Sequence, residues 1–174
     1  MMAIRKAALS ILLAFGLLPG FPGCKKSPTE TSPPIAEPTI ALLCSPSTAK
    51  PDEIVSASVY IKGNLKEIRV FGLDMTFDAE MFRFQEVRRG TLTGAWAEVD
   101  GNEVGPGNLR VGGFLGGAAA IPVKSEGTLA EIRLKVTGTK YSNGQQSQIC
   151  IKQYTDALAE FKPSSVCSTF TLKK

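Results

Sequence analysis

Strict alternation of apolar and polar side chains is the feature that most constrains the fold of this chain. The segments IVSASVYIKG (residues 54–63), IRVFGLDMTF (68–77) and TLAEIRLKVTG (128–138) each place an apolar residue at every second position. A period of two puts successive side chains on opposite faces of a β-strand, so one face is buried and the other is not. From residue 39 onward no apolar stripe recurs at helical spacing, which predicts an all-β fold.

Turn-forming residues divide this part of the chain into short strands, joined through Gly, Pro, Asn and Asp. The pattern predicts nine strands: TIALLC (39–44), IVSASVYIKG (54–63), IRVFGLDMTF (68–77), MFRFQEVRRG (81–90), LTGAWAEV (92–99), LRVGGF (109–114), TLAEIRLKVTG (128–138), SQICIKQY (147–154) and VCSTFTL (166–172). Short strands with such turns are typical of a two-sheet β-sandwich. Residues 39–174 suffice for one sandwich domain and are too few for two.

Two segments precede this domain. Arg5 and Lys6 are followed by the apolar run AALSILLAFGLLPGF, which has the length of a signal-peptide core and is short for a membrane span. Residues 1–23 are therefore predicted to be a secretion signal. Residues 24–38 begin with Cys24 and are rich in Pro, Ser and Thr, a composition that predicts an extended tether.

The junction FPGC, in which Gly23 directly precedes Cys24, resembles the lipobox of bacterial lipoproteins. The resemblance implies that Cys24 is diacylated on sulfur and becomes the new N-terminus. At about 0.8 kcal/mol per buried methylene, two or three acyl chains hold a protein on a membrane permanently. Lys25, rather than Asp, follows the cysteine, so the resemblance implies the outer membrane or cell surface. The alternative is an ordinary signal with a cysteine nearby by chance.

The charge balance and the absence of histidine limit the functions open to the chain. Removal of the signal leaves 18 of the 20 basic residues against 16 acidic ones, and the two signs are interspersed, which predicts solvated faces rather than a nucleic-acid site. Without histidine there is no His-based triad, His-ligated metal or imidazole acid–base catalyst. Glu98, Asp100 and Glu103 fall in or beside a predicted turn, where solvated acids are normal. We expect neither an enzyme nor a metal or cofactor site.

Three cysteines remain besides Cys24, namely Cys44, Cys150 and Cys167. An oxidising compartment allows one disulfide and leaves one thiol over. Spacing alone does not choose among the three possible pairs.

The order of these segments resembles the cohesin family of secreted bacterial modules over residues 39–172. The family pattern has an aromatic-Asp pair, then V-x-x-G, and finally G-x-L-x-x-I-x-F/L-x-V. The matching residues are Phe77, Asp78, Val87, Gly90, Gly127, Leu129, Ile132, Leu134 and Val136. Ala79 stands where the family often has Pro, and residues 50–51 stand where it often has Val-Gly. The resemblance implies a nine-stranded jelly-roll sandwich that binds dockerins, helical modules whose calcium ions are their own.

Asp78 also has a local explanation. An Asp that closes a strand can accept hydrogen bonds from backbone N–H groups two or three residues on. We therefore expect Asp78 to fix the turn after the third predicted strand, in preference to a catalytic or metal-binding role.

The resemblance further implies that one sheet, from the third, fifth, sixth and eighth predicted strands, forms the binding face. The residues it would present are Val70, Gly72, Asp74, Thr76, Arg110, Gly112, Phe114 and Leu115. Asp74 would accept hydrogen bonds from a partner, and Phe114 with Leu115 would supply an apolar anchor. Gly72, Gly112 and Gly113 would leave a flat platform, or would simply reflect sheet twist or a bulge. Familiar cohesins often have Asn and Asp where this chain has Val70 and Gly72.

Family topology also bears on the disulfide. In the jelly roll the first strand runs parallel to the last, which would place Cys44 closest to Cys150. The resemblance therefore implies a Cys44–Cys150 disulfide.

Two other functions remain open at the level of sequence. A carbohydrate-binding module shares the sandwich architecture and would stack a polysaccharide on exposed aromatic rings, for which Trp96 and Tyr60 are the candidates on predicted strands. A structural envelope lipoprotein would need no partner site at all. The favoured hypothesis is a membrane-anchored, non-catalytic module that binds a dockerin-like protein.

Overall fold

The computed structural model of the chain describes residues 37–163 and 165–174. The predicted signal peptide, the lipidation site Cys24 and residues 24–36 of the predicted tether lie outside the described residues. The described part contains ten strands. They are β1 (Thr39–Ser45), β2 (Thr48–Ala49), β3 (Ile54–Lys62), β4 (Val70–Thr76), β5 (Phe82–Arg89), β6 (Glu98–Gly105), β7 (Asn108–Phe114), β8 (Glu126–Val136), β9 (Gln146–Asp156) and β10 (Val166–Leu172).

Two sheets form the domain, which confirms the predicted all-β sandwich with jelly-roll topology. A four-stranded sheet has the order β1-β3-β8-β5, and a six-stranded sheet has the order β2-β10-β9-β4-β7-β6. All pairs are antiparallel except the short parallel contact between β2 and β10. Residues 37–163 and 165–174 include no helix, and hence none that could cross a bilayer.

The alternation predicted from sequence sets the burial of both sheets. In β3, Val55, Ala57, Val59 and Ile61 are completely buried, while the residues between them are partly exposed. In β8 the same holds for the apolar positions up to Val136. These side chains meet the inward face of the six-stranded sheet in one core. Burial of apolar surface on both inner faces is the main force that holds the two layers together.

The tenth strand and the position of β6 differ from the prediction. β2 is a two-residue strand that the sequence pattern does not reveal. The fifth predicted strand, residues 92–99, is wrong for most of its length, because residues 91–95 form a turn and β6 begins only at Glu98. β6 then continues through most of the segment predicted as a turn.

Thr93 explains why the chain turns before β6. Its side chain is completely buried, and its hydroxyl donates to the Leu129 carbonyl at 2.7 Å and accepts from the Gly90 N–H at 2.9 Å. A Cβ on Gly90 would lie 2.2 Å from the Thr128 carbonyl oxygen. The segment is therefore pressed against β8 and held by side-chain bonds that compete with strand pairing.

Asp78 fixes the turn between β4 and β5, as predicted. Its Oδ1 accepts hydrogen bonds from the backbone N–H of Glu80 at 2.9 Å and of Met81 at 3.3 Å. Its Oδ2 accepts from the Tyr141 hydroxyl at 2.7 Å, a contact that sequence did not predict. The carboxylate hydrogen bond raises the pKa of Tyr141 above its ordinary value. Asp78 therefore ties this turn to the loop between β8 and β9.

The disulfide joins Cys150 to Cys167, so the expected Cys44–Cys150 bridge is wrong. These two cysteines lie directly opposite each other on β9 and β10, with Cα atoms 4.0 Å apart. Cys44 lies on β1, in the other sheet. Its thiol is free, and burial raises its pKa to about 11. Cys150 and Cys167 meet because β9 and β10 are hydrogen-bonded neighbours in one sheet, whereas the expected bridge rested only on which strand ends approach each other.

Candidate functional site

The outer face of the six-stranded sheet carries most of the predicted site. Along β4, Phe71, Leu73 and Met75 are buried, and the residues between them face outward. The outward residues are Val70, Gly72, Asp74 and Thr76. On β7, Leu109 and Val111 are buried, so Arg110, Gly112 and Phe114 face outward. The strands β9, β4 and β7 correspond to the eighth, third and sixth predicted strands, and β6 takes the place of the fifth.

Register arranges these outward residues in three rows across the sheet. Val70 pairs with Phe114, Gly72 with Gly112, and Asp74 with Arg110. We call them the apolar row, the glycine row and the ion-pair row. Because β4 and β7 are antiparallel neighbours, each row joins residues that lie directly opposite each other.

The apolar row exposes hydrophobic surface. Val70 is 44% and Phe114 is 47% exposed, although both belong to regular strands. Glu98 lies opposite Phe114 on β6. A large exposed aromatic side chain beside an aliphatic one, with the charged Glu98 at the edge, is typical of the centre of a protein-binding surface.

The ion-pair row carries the central charges. Arg110 Nε donates to Asp74 Oδ1 at 2.9 Å, and the arginine side chain is 68% exposed. This hydrogen bond raises the pKa of Arg110 above its ordinary value, so the guanidinium stays charged. Its terminal nitrogens have no acceptor among the described residues. An ion pair so exposed adds little to stability, but it leaves an oriented donor group for a bound molecule.

The glycine row leaves the sheet backbone open between these two rows. A Cβ on Gly112 would approach only the Phe71 carbonyl oxygen, at 3.2 Å. Gly72 differs, because the Thr155 Oγ1 would lie 2.3 Å from a Cβ there. On the flanking strands, Asp100 of β6 lies opposite Gly112 and Thr155 of β9 lies opposite Gly72. The Thr155 side chain therefore occupies the space that a Cβ at Gly72 would need.

Three shallow depressions follow the rows. One of about 360 Å³ adjoins Gly112 and Asp100, and one of about 390 Å³ adjoins Gly72 and Thr155. A third, of about 350 Å³, lies beside Asp74 and Thr76. Arg110 borders all three. The site is thus a broad, open surface in place of an enclosed cavity.

Two predicted features of the face need correction. Leu115 is only partly exposed and packs against the core, so the apolar anchor consists of Phe114 and Val70. Gly113 faces inward, where a Cβ would lie 2.8 Å from Phe71 Cε1. Of the three glycines, only Gly112 therefore leaves the outer face open, since the Thr155 hydroxyl lies over Gly72.

Neither aromatic candidate for sugar stacking lies on this face. Trp96 is 3% exposed, and its ring lies 5.8 Å from that of Phe71. Tyr60 belongs to the four-stranded sheet, where its hydroxyl donates to Glu126. The outer face of the six-stranded sheet therefore has neither Trp96 nor Tyr60 available to stack a sugar ring.

Sequence reasoning missed the flanking contributors to the face. They are Glu98, Asp100 and Asn102 on β6, and Gln153 and Thr155 on β9. Asp100 and Asn102 fall in a segment predicted as a turn, and Glu98 stands at the end of the fifth predicted strand. A bulge between Asp74 and Met75 shifts the register of β9, which a strict two-residue period does not reveal.

Within residues 37–163 and 165–174 there is no group of three or more Cys, Asp or Glu side chains placed to hold an ion. What the arrangement offers is apolar contact, an exposed guanidinium and carboxylates on an open sheet, which suits binding of another macromolecule.

Comparisons with known proteins agree with this geometry. A family model described as "Cohesin domain" matches residues 42–164. The sixth cohesin of Acetivibrio cellulolyticus scaffoldin B, solved with a mutant Cel5 dockerin, is 15% identical with a TM-score of 0.58, covering 78% of this chain and 98% of that chain. A Clostridium thermocellum OlpA cohesin in complex with the dockerin Doc918 is 19% identical with a TM-score of 0.58, covering 77% and 99%.

A third similar structure comes from an archaeon. A non-cellulosomal cohesin of Archaeoglobus fulgidus is 18% identical with a TM-score of 0.56, covering 80% of this chain and 93% of that chain. Among curated proteins no significant match is found. At these identities the structural likeness establishes the fold, and the match of the family model covers well over half of the chain.

Proposed function

The chain belongs to the cohesin family, and from this premise we propose that it is a docking module whose outer six-stranded face binds a dockerin-like partner. Cohesins are protein-interaction modules, and several of the similar structures contain a bound dockerin. The observation that carries the proposal is the Val70–Phe114 pair. Two exposed hydrophobic side chains stand together on a regular sheet, beside an oriented ion pair, and none of the described residues covers them.

The chemistry of the face supports binding without catalysis. The family consists of non-enzymatic binding modules, and the face offers contacts suited to a folded partner rather than a reacting group. We assign no cofactor to this chain. Any calcium in the complex would belong to the dockerin-like partner, whose binding would then require that ion.

Membrane anchoring through Cys24 is the second part of the proposal. The support is the FPGC junction after an apolar run, together with the Pro-rich segment that follows. We expect the mature chain to begin at Cys24 and to carry two or three acyl chains, on the outer membrane or cell surface. Mass spectrometry of the N-terminal peptide from the membrane fraction tests this directly. A mature N-terminus at any other residue, or an unmodified Cys24, would contradict it.

A display library built on a dockerin scaffold, with its exposed helix positions randomised, tests the docking proposal. The library is selected in calcium on the full-length chain held in detergent. Binders that elute with EDTA are expected. Selection of none would overturn the proposal and favour a structural envelope role, while calcium-independent retention on an insoluble polysaccharide would favour the carbohydrate alternative.

Phe114→Ala is the variant that locates the binding face. Central aromatic anchors typically contribute about 2 kcal/mol or more, so the affinity of selected binders should fall roughly 30-fold. Leu43→Ala is the matched control, because Leu43 is 51% exposed on β1 of the opposite sheet. Its affinity should be unchanged, as measured by calorimetry. Equal losses in the two variants, or a loss only with Leu43→Ala, would place the interface elsewhere.

A further inference from the structure

The chain enters the domain at one end of the sandwich, where the loops β3–β4, β7–β8 and β9–β10 also lie. The Pro38 carbonyl accepts a hydrogen bond from the Lys162 N–H at 3.0 Å, which joins the entering chain to the β9–β10 loop. A Cβ on Gly63, at the start of the β3–β4 loop, would lie 3.9 Å from the Glu37 carbonyl oxygen. We call this part of the domain the entry end. Any surface that its loops present lies next to the point where the predicted tether attaches.

Asn64 holds these loops in fixed positions. Its side chain is completely buried, and its amide donates to the Pro122 carbonyl at 2.8 Å. Its own carbonyl accepts from the Lys124 N–H at 2.8 Å. The β9–β10 loop joins them through Glu160, whose Oε1 accepts from the Leu65 N–H at 3.0 Å. The residues that follow Asn64 and Pro122 are therefore held side by side.

Those two following residues are Leu65 and Val123, and both expose apolar surface. Leu65 is 47% and Val123 is 49% exposed, although the hydrogen bonds around Asn64 fix the backbone beside each of them. A single exposed aliphatic residue is ordinary, whereas a fixed pair on neighbouring loops forms a small apolar patch.

Lysine side chains surround this apolar patch. Lys66 follows Leu65, Lys124 follows Val123, and Lys162 lies where the chain enters. All three are exposed, and none forms an ion pair within residues 37–163 and 165–174. Lysine can lay its alkyl stem on an apolar surface while its ammonium group reaches a phosphate, which suits a phospholipid surface. The acids of these loops that stand outside ion pairs are Glu37, Asp156 and Glu160. They offset the lysines, so apolar contact rather than net charge must hold the surface on lipid.

The length of chain before the entry end limits what the patch can meet. Residues 24–36 separate Cys24 from the described domain, which makes 13 residues. A chain of that length spans about 20 Å on average if flexible and about 40 Å if extended as polyproline II. A lipid anchor at Cys24 would therefore keep the patch close to the bilayer at all times. Because the contact is then intramolecular, even a weak affinity for lipid is sufficient.

We propose that the entry end lies on the membrane that holds the anchor, with Leu65 and Val123 at the lipid surface and lysines at the phosphate groups. The strands then point away from the membrane, and the outer face of the six-stranded sheet stays accessible from the side. This inference rests on the proposed anchoring through Cys24 and adds the orientation of the domain.

Quenching by spin-labelled lipid tests the orientation. The lipidated chain is placed in vesicles of phosphatidylethanolamine and phosphatidylglycerol, some of which carries a spin label on the acyl chain. Val123→Cys holds a fluorophore, in a Cys44→Ala background in which the other cysteines are acylated or in the disulfide. Its fluorescence should fall about twofold, since side chains on such a surface lie within about 5–10 Å of the acyl boundary.

Val104→Cys with the same fluorophore is the matched control. Val104 is 58% exposed near the end of β6, next to Gly105, which pairs with Asn108 at the opposite end of the sheet from Phe114. Its fluorescence should change little.

A second variant tests the apolar contact itself. Leu65→Asp should remove most of the quenching at the Val123 label, because a carboxylate replaces the apolar neighbour. Leu43→Asp, at a position that is 51% exposed on β1, should leave the quenching unchanged. Raising the salt concentration should have little effect, since screening weakens contacts between charges and not apolar ones. Quenching that disappears at high salt would contradict an apolar contact.

The outcomes separate this inference from the anchoring on which it rests. A chain that does not sediment with the vesicles would overturn both. A chain that sediments but shows equal quenching at the Val123 and Val104 labels would overturn the orientation alone. Energy transfer between Val123 labels on different copies, where Val104 labels show none, would assign the patch to a second copy and overturn the orientation as well.

Discussion

Replacement of Phe82 by alanine is expected to lower the free energy of unfolding by about 4 kcal/mol, the largest effect of any single change considered for this domain. Phe82 is 1% exposed at the start of β5. Its ring packs edge-to-face against Phe170 of β10 at 5.0 Å and against Phe77 at 6.5 Å. β5 and β10 belong to different sheets, so alanine would leave a cavity where the two layers are held together.

Urea unfolding followed by tryptophan fluorescence measures this loss, because Trp96 is buried in the same core. Phe114→Ala is the control, since it removes the same side-chain atoms from a position that is 47% exposed. The control should cost less than about 1 kcal/mol, because surface substitutions usually change stability little. Similar losses at the two positions would show that Phe82 does not connect the sheets.

Loss of the Cys150–Cys167 bridge is expected to destabilise the domain by about 3 kcal/mol. The bridge closes a loop with a sequence separation of 17, and the chain-entropy relation gives that value for such a loop. Cys150→Ala with Cys167→Ala should therefore lower the melting temperature by roughly 10 °C. Differential scanning calorimetry with and without reductant measures the change.

The pattern of reductant sensitivity separates this bridge from the alternatives. The wild-type protein and a Cys44→Ala variant should both lose stability when reduced, while the double variant should not respond. Cys44 is half-buried with a free thiol, so its replacement should cost far less than loss of the bridge. A peptide map of the unreduced protein that joins Cys44 to either partner would contradict the assignment.

The central strands were predictable because their two faces differ so sharply in polarity. β3 and β4 alternate over their whole length and β8 alternates from Ala130 onward, and burial of the apolar residues leaves one register that avoids exposing them. The same alternation puts Asp74 on the outer face, whereas the outward position of Arg110 was implied by the resemblance to cohesins. Their contact follows from the pairing of β4 with β7, which is a long-range property and needs the topology.

The edges of the face were less predictable because tertiary contacts override local pattern there. Thr93 holds its segment against β8 through its hydroxyl, although LTGAWAEV has the composition of a strand. β6 carries Gly101 at an inward position, where a Cβ would lie 2.6 Å from Val87 Cγ2, so its core-facing signal is weak. The disulfide pairing likewise depends on which strands are neighbours in the sheet. The spacing of the cysteines in the sequence does not reveal that order.

The two-residue period has an evolutionary consequence. Val70, Asp74, Arg110 and Phe114 project from strands whose intervening residues supply the core, so selection can alter the outer set while the inner set stays fixed. Mutations of these outer residues can therefore change which partner binds without lowering the stability of the domain. Gly72 is the exception, since any side chain there would meet Thr155. Descendants of this domain should diversify around that one glycine and keep it.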